Sequence, residues 1–298
     1  MMNKGITHFL TPQELQRLNL LLLESRDVVE GNLTGRHSSP HRGTSTEFAD
    51  HRQYYPGDDL KHMDWKVVAR TEKYYVRRYE DETNLRVYLV LDRSASMAYG
   101  SGDNSKFHYA CRLAAALGYI VLKSRDAVGL HLYSDDIDRV MPARHSFGHL
   151  NNMMTLLQDT EPSSATETAP VLHKIADSIQ RRALVILISD LIDNADNILK
   201  ALAHFRKVQH DVIMFQVLDP AELDLSLRSA AEFEDMESGE RLYADPKAMA
   251  SEYNKVFGEF LDTYRRACSE MRVDYRLVNT SNSLQNFIRA YLEERKRY

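Results

Sequence analysis

From residue 85 onward the chain alternates between two apolar patterns. Runs such as Leu85 to Leu91, Ala127 to Tyr133, Ala183 to Ile188 and Val212 to Leu218 are apolar at nearly every position. Strands of a parallel sheet covered by helices on both faces have this composition. Between them lie stretches with helical spacing: Lys106 to Lys123, Phe147 to Leu157, Pro170 to Gln180, Ala195 to Val208, about Lys247 to Met271, and a last one from Ser283. The regular alternation predicts an α/β fold, doubly wound around a mostly parallel sheet. Asp274 to Val278 adds a further strand. Ile137 to Met141, reached through Ser134-Asp135-Asp136, reads as a short antiparallel partner. Glu232 to Met236 and Arg241 to Tyr243 read as a hairpin.

The first 84 residues follow neither rhythm. Thr11-Pro12-Gln13-Glu14 opens a helix with a capping threonine, a proline in the first turn and an early acid, and the helix is predicted to run to about Val29. Residues 31–46 hold Gly, Ser, Thr and Pro without periodicity and read as loop. Tyr74 to Tyr79 alternates and is predicted to pair with the strand that starts at Leu85. The chain thus divides into an N-terminal helix and clamp segment, 1–84, and an α/β domain, 85–298. In the clamp, Arg52 to Arg70 mixes Asp58, Asp59 and Asp64 with Arg52, Lys61, Lys66 and Arg70 around Tyr54, Tyr55 and Trp65. Such a composition buries area and pairs charge, so it is expected to dock as a fixed element with Trp65 packed on the domain.

Chemistry concentrates where strands end. The run from Leu85 stops at Asp92, and Ser94 and Ser96 follow at alternate positions. The run from Ala183 stops at Ser189-Asp190. In an open α/β sheet ligands bind beyond the carboxyl ends of the strands. Two parallel strands would therefore set Asp92 and Asp190 on one rim. The loop Ser163-Ser164-Ala165-Thr166-Glu167-Thr168 brings another hydroxyl to the same region. One or two carboxylates with several hydroxyls make a hard, oxygen-only donor set that suits Mg²⁺, which keeps several of its waters, or Mn²⁺. The plainer reading of Asp92, Ser94 and Ser96 is helix capping. Asp193 reads as a cap or a supporting acceptor.

Asp92-x-Ser94-x-Ser96, then Thr166, then Asp190 resembles the metal-ion-dependent adhesion site of von Willebrand factor A domains. Upstream, the stretch from Arg52-Gln53-Tyr54-Tyr55-Pro56-Gly57-Asp58 to Asp64-Trp65-Lys66, with Ala69-Arg70, is similar to the signature of a bacterial family of unknown function with a von Willebrand A-like domain. Genes of that family often neighbour those of MoxR-type AAA+ ATPases. The resemblance implies a Rossmann-type fold and a metal-dependent, non-enzymatic protein-binding module. It also implies Asp92, Ser94, Ser96, Thr166 and Asp190 as metal-site residues. The implied partner is a MoxR-type AAA+ ATPase or a protein delivered to it. Two positions depart from the pattern. Ser164-Ala165-Thr166 replaces the usual Gly-Gly-Thr, which makes Thr168 a substitute for Thr166, and Leu191 stands where glycine often follows the last aspartate.

Charge and composition narrow the alternatives. A net charge of -5 over 298 residues argues against a general nucleic-acid binder. Cys111 and Cys268 fall in helical segments and read as buried thiols. No run reaches the ~18 apolar residues of a membrane span, and the start lacks a secretion-signal layout, so the expectation is a cytoplasmic protein. His37 and His41 flank Ser38-Ser39-Pro40 and read as solvated loop residues. A Mg²⁺-dependent phosphohydrolase of the haloacid dehalogenase type also starts from an aspartate at a strand end. It needs an acid two positions on, where Ser94 stands, and no lysine is clearly placed to neutralise a phosphate. A third reading is a metal-free scaffold.

Overall fold

The computed structural model describes residues 5–24, 48–54, 63–71, 74–79, 85–102, 104–163, 168–225, 231–234, 241–244 and 246–295. The chain forms two compact units, one of residues 35–84 and one of residues 1–34 with 85–298. The helix Pro12–Glu24 falls within the larger unit.

The larger unit is built on a six-stranded sheet. Its strands are β1 (Arg86–Asp92), β2 (Ala127–Tyr133), β3 (Ile137–Arg144), β4 (Leu184–Ser189), β5 (Asp211–Leu218) and β6 (Asp274–Asn279). They lie in the order β3–β2–β1–β4–β5–β6. All pairs are parallel except the edge pair β2–β3. The order reverses between β1 and β4, which is the switch point at which doubly wound sheets open a crevice above the strand ends.

The apolar strands separate into two cores because successive side chains point to opposite faces. Val87, Leu89 and Leu91 of β1 and Ile186 and Ile188 of β4 join one core with the helix Lys106–Lys123. Val90, Val185 and Leu187 face the other, under the helices Thr168–Ser178 and Ala195–Lys207. Leu18, from the helix Pro12–Glu24, is buried in the first core. That helix begins as the sequence indicates: Glu14 N–H donates to Thr11 Oγ1 at 3.2 Å, and Thr11 N–H donates to Glu14 Oε2 at 2.8 Å. This is a reciprocal cap. Cys111 and Cys268 are buried free thiols.

One expectation is corrected in the smaller unit. The strand Tyr75–Tyr79 pairs antiparallel with Phe48–Gln53, not with the strand after Leu85. Both edges of β1 are already taken by β2 and β4. Trp65 opens the helix Trp65–Thr71. Asp64 is buried and its Oδ1 accepts the Val67 N–H at 3.4 Å, so this clamp acid serves as a helix cap. Pro56 to Lys61, His37 and His41 lie outside the described residues. The hairpin read near 232–243 forms from Ala231–Glu234 and Arg241–Ala244. Among the described residues no helix is long and apolar enough to cross a membrane.

Candidate functional site

Asp92 ends β1, and Asp190 follows Ser189 at the end of the adjacent parallel strand β4. The parallel pairing sets both acids on one rim, at the switch point. Asp92 is 1% exposed. Its Oδ1 accepts the Ser94 N–H at 2.8 Å, which folds the chain back over the strand end. Its Oδ2 accepts from Ser189 Oγ at 2.6 Å and from the Tyr133 hydroxyl at 3.3 Å. Ser94 then leads into a short 3-10 turn, Ala95–Ala98. Ser94 Oγ and Ser96 Oγ stand 3.0 Å apart.

Charge at this rim is tightly coupled. Burial and the nearby Asp190 carboxylate raise the Asp92 pKa to about 6, against the donors Ser189 and Ser94. Tyr133 is pushed well above the usual phenol range by burial and by Asp92. Lys106, with no exposed surface, donates to Asp190 Oδ2 at 2.7 Å and to Glu222 Oε1 at 2.6 Å. Burial opposes its charge, but Asp190 and Glu222 outweigh burial and hold its pKa above the ordinary lysine value. Glu222 is raised by burial, with Lys106 pulling the other way.

The backbone after Asp190 explains one departure noted in the sequence. Leu191, in place of glycine, has φ +54°. A leucine pays a steric penalty in that left-handed region, and three contacts offset it. Its N–H donates to Ser189 Oγ at 3.0 Å, its carbonyl accepts from the Tyr264 hydroxyl at 3.2 Å, and its side chain is buried. Ser189 thus holds Asp92 and the Leu191 turn with a single hydroxyl.

Asp92, Ser94, Ser96 and Asp190 come together, and Thr166 lies outside the described residues. The two ends of its loop are anchored at the rim. Ser163 N–H donates to the Arg93 carbonyl at 2.9 Å, and Thr168 N–H donates to Asp193 Oδ2 at 3.1 Å. Asp193 also accepts the Asn194 N–H at 2.6 Å, which makes it a supporting acceptor, while Asn194 is the cap of the helix Ala195–Lys207. Sequence reasoning missed Ser189, Tyr133, Glu222 and above all Lys106, having placed no lysine at the site. Ser189 was detectable as the polar residue that ends an otherwise apolar strand. Lys106 was detectable as a cation in the first turn of a helix, where the dipole disfavours it.

Octahedral Mg²⁺ with oxygens at 2.0–2.1 Å needs adjacent donors about 2.9 Å apart, close to the 3.0 Å between the serine hydroxyls. All the donors are hard oxygens. Among the described residues no group of three or more His, Cys, Asp or Glu could hold a metal, so a cage of several carboxylates or a thiolate–imidazole site is not formed there. The arrangement fits an ion that keeps several waters, with Asp190 engaged by Lys106.

A doubly wound sheet in this order, with Asp92, Ser94 and Ser96 where its first strand ends, is the arrangement that the von Willebrand A-like resemblance implies. The chain belongs to the family described as "Protein of unknown function DUF58", which matches residues 50–257. "Uncharacterized protein Rv1480" of Mycobacterium tuberculosis is 29% identical over 234 residues, covering 76% of this chain and 72% of the relative. "Uncharacterized protein YeaD" of Bacillus subtilis is 27% identical over 118 residues, covering 39% of this chain and 27% of that protein. Among solved structures, BatB from Bacteroides thetaiotaomicron aligns with a TM-score of 0.45 at 17% identity, covering 72% of this chain and 100% of that chain. The SpRpn10 VWA domain aligns with a TM-score of 0.42 at 12% identity, covering 69% of this chain and 94% of that domain.

Proposed function

We propose that this chain is a cytoplasmic, non-enzymatic protein-interaction module that recognises an acidic side chain of its partner through a divalent ion. Asp92, Ser94 and Ser96 would hold Mg²⁺ or Mn²⁺, with Thr166 and Asp190 completing or supporting the site. When bound, such an ion supplies residual positive charge and exchangeable positions that an Asp or Glu carboxylate can fill. The observation that carries this reading is the pair of serine hydroxyls, 3.0 Å apart, set beside the Asp92 carboxylate at the switch point. The partner implied by the family resemblance is a MoxR-type AAA+ ATPase or a protein delivered to it.

The phosphohydrolase alternative is not favoured. Ser94 stands where that chemistry needs a proton donor, and Lys106 is already engaged by Asp190 and Glu222. Capture of partners from native lysate tests the reading. Capture should occur with Mg²⁺, fall away with chelator, and be lost in Asp92→Ala while the melting curve stays cooperative. Equal capture with and without chelator would overturn it.

A further inference from the structure

We propose that Lys106 sets the balance between how tightly the site holds a divalent ion and how strongly that ion attracts a partner's carboxylate; this rests on the metal reading above. Lys106 is the first residue of its helix, which places an ammonium at the positive pole. That placement is unfavourable by itself. A buried ion pair is also weak evidence for stability, because apolar residues of similar volume often do as well. Yet the ammonium is fully buried and held from two sides, by Asp190 Oδ2 at 2.7 Å and Glu222 Oε1 at 2.6 Å. Glu222 is itself fixed, since its Oε2 accepts the Asp219 N–H at 2.8 Å. Lys106 therefore cannot leave Asp190 without breaking a second charged contact.

The consequence is electrostatic. Asp92, Asp190 and Glu222 would together face an ion at Asp92, Ser94 and Ser96 with three negative charges, and Lys106 offsets one of them. An ion less fully neutralised by the protein is held less tightly, and it keeps more positive charge for a carboxylate from outside. Looser metal binding and stronger partner binding then have one cause. Removing the cation should move the two in opposite directions, an outcome that a merely structural lysine would not give.

The test uses the full chain, Mn²⁺ followed by electron paramagnetic resonance, and acetate as the carboxylate probe. Lys106→Met should bind Mn²⁺ about tenfold more tightly, the change expected when one like charge is removed from the surroundings of the ion. Its Mn²⁺ complex should bind acetate more weakly than the wild-type complex does. Lys106→Arg, which keeps the charge, should behave as wild type. Should Lys106→Met not fold, the comparison of Lys106→Met/Glu222→Gln with Glu222→Gln reads the same difference without leaving a second acid unpaired. If wild type binds Mn²⁺ and the variants leave both affinities unchanged, or shift both in one direction, this inference fails and the metal reading stands. Binding by the variant and not by wild type would support the role of Lys106 and overturn the metal reading for the native chain. If no form binds Mn²⁺, both fail.

Discussion

At the carboxyl rim of the sheet Asp92 lies beside Asp190, which Lys106 engages, and the hydroxyls of Ser189 and Tyr133, whereas at the amino rim the Asp126 carboxylate serves one backbone group. Asp126 precedes β2, and its Oδ1 accepts the Leu85 N–H at 2.9 Å. Both carboxyls are nearly inaccessible, at 1% and 5% exposure, and burial raises both pKa values to about 6. A displaced pKa therefore does not by itself mark a site. The two acids differ in what surrounds them. Asp126 is opposed by a backbone donor and by His145, while Asp92 is driven further up by a second carboxylate. Convergence of charge from distant parts of the chain separates the two rims. The Lys106–Asp190 and Lys106–Glu222 contacts span 84 and 116 positions of sequence.

The largest effect should come from breaking that convergence. Lys106→Ala leaves the buried Asp190 and the half-buried Glu222 without their cation, and loss of one partner from a buried ion pair costs about 3–5 kcal/mol. Urea denaturation at pH 8 measures it. A loss below about 1 kcal/mol would mean that the rim's charges are not coupled in this way.

The next effect distinguishes the rims by metal. Mg²⁺ at about 100 times its Kd should add roughly 2–3 kcal/mol of stability, seen as a rise of about 4–10 °C in Tm. Asp92→Asn should abolish this rise, and Asp126→Asn should retain all of it. Loss of the Mg²⁺ response in both variants would make it a bulk charge effect rather than the property of one site.

The elements were legible from pattern, and the partners of the charges only partly so. Lys106 to Lys123 and Ala127 to Tyr133 carry unbroken local signals and form with those bounds. Asp92 and Asp190 were legible because each interrupts an apolar strand at its end. Phe48–Gln53 was not, because Phe-Ala-Asp-His-Arg-Gln has no alternation and becomes a strand only by pairing with Tyr75–Tyr79. Lys106 opens an amphipathic helix, and nothing in the local pattern marks it as buried. Its burial depends on the fold bringing Asp190 and Glu222 to it, which no local window contains. Leu191 shows the same limit from the other side. The missing glycine suggested a departure, but the chain keeps the left-handed turn and secures it through Ser189 and Tyr264.

The smallest effect is a pH profile at the amino rim. An acid whose pKa is near 6 in the folded protein and near the usual 3.9 when unfolded binds more protons folded than unfolded between those values. Stability therefore falls as pH rises from about 4 to 6, and the deficit stays constant above that. Asp126→Asn removes the ionisation and keeps a side-chain oxygen for the Leu85 N–H. The variant should be more stable than wild type by about 2–3 kcal/mol at pH 8, with the difference shrinking through pH 6 and vanishing below pH 4. Asp92→Asn should follow the same profile without metal, since its carboxyl carries the same burial cost plus repulsion from Asp190. Adding Mg²⁺ should then reverse one ordering only: wild type overtakes Asp92→Asn, while Asp126→Asn stays ahead of wild type. Denaturation curves at pH 4, 6 and 8 with and without Mg²⁺ measure all of this, and a difference at Asp126 that does not vary with pH would show that burial there is not what holds its proton.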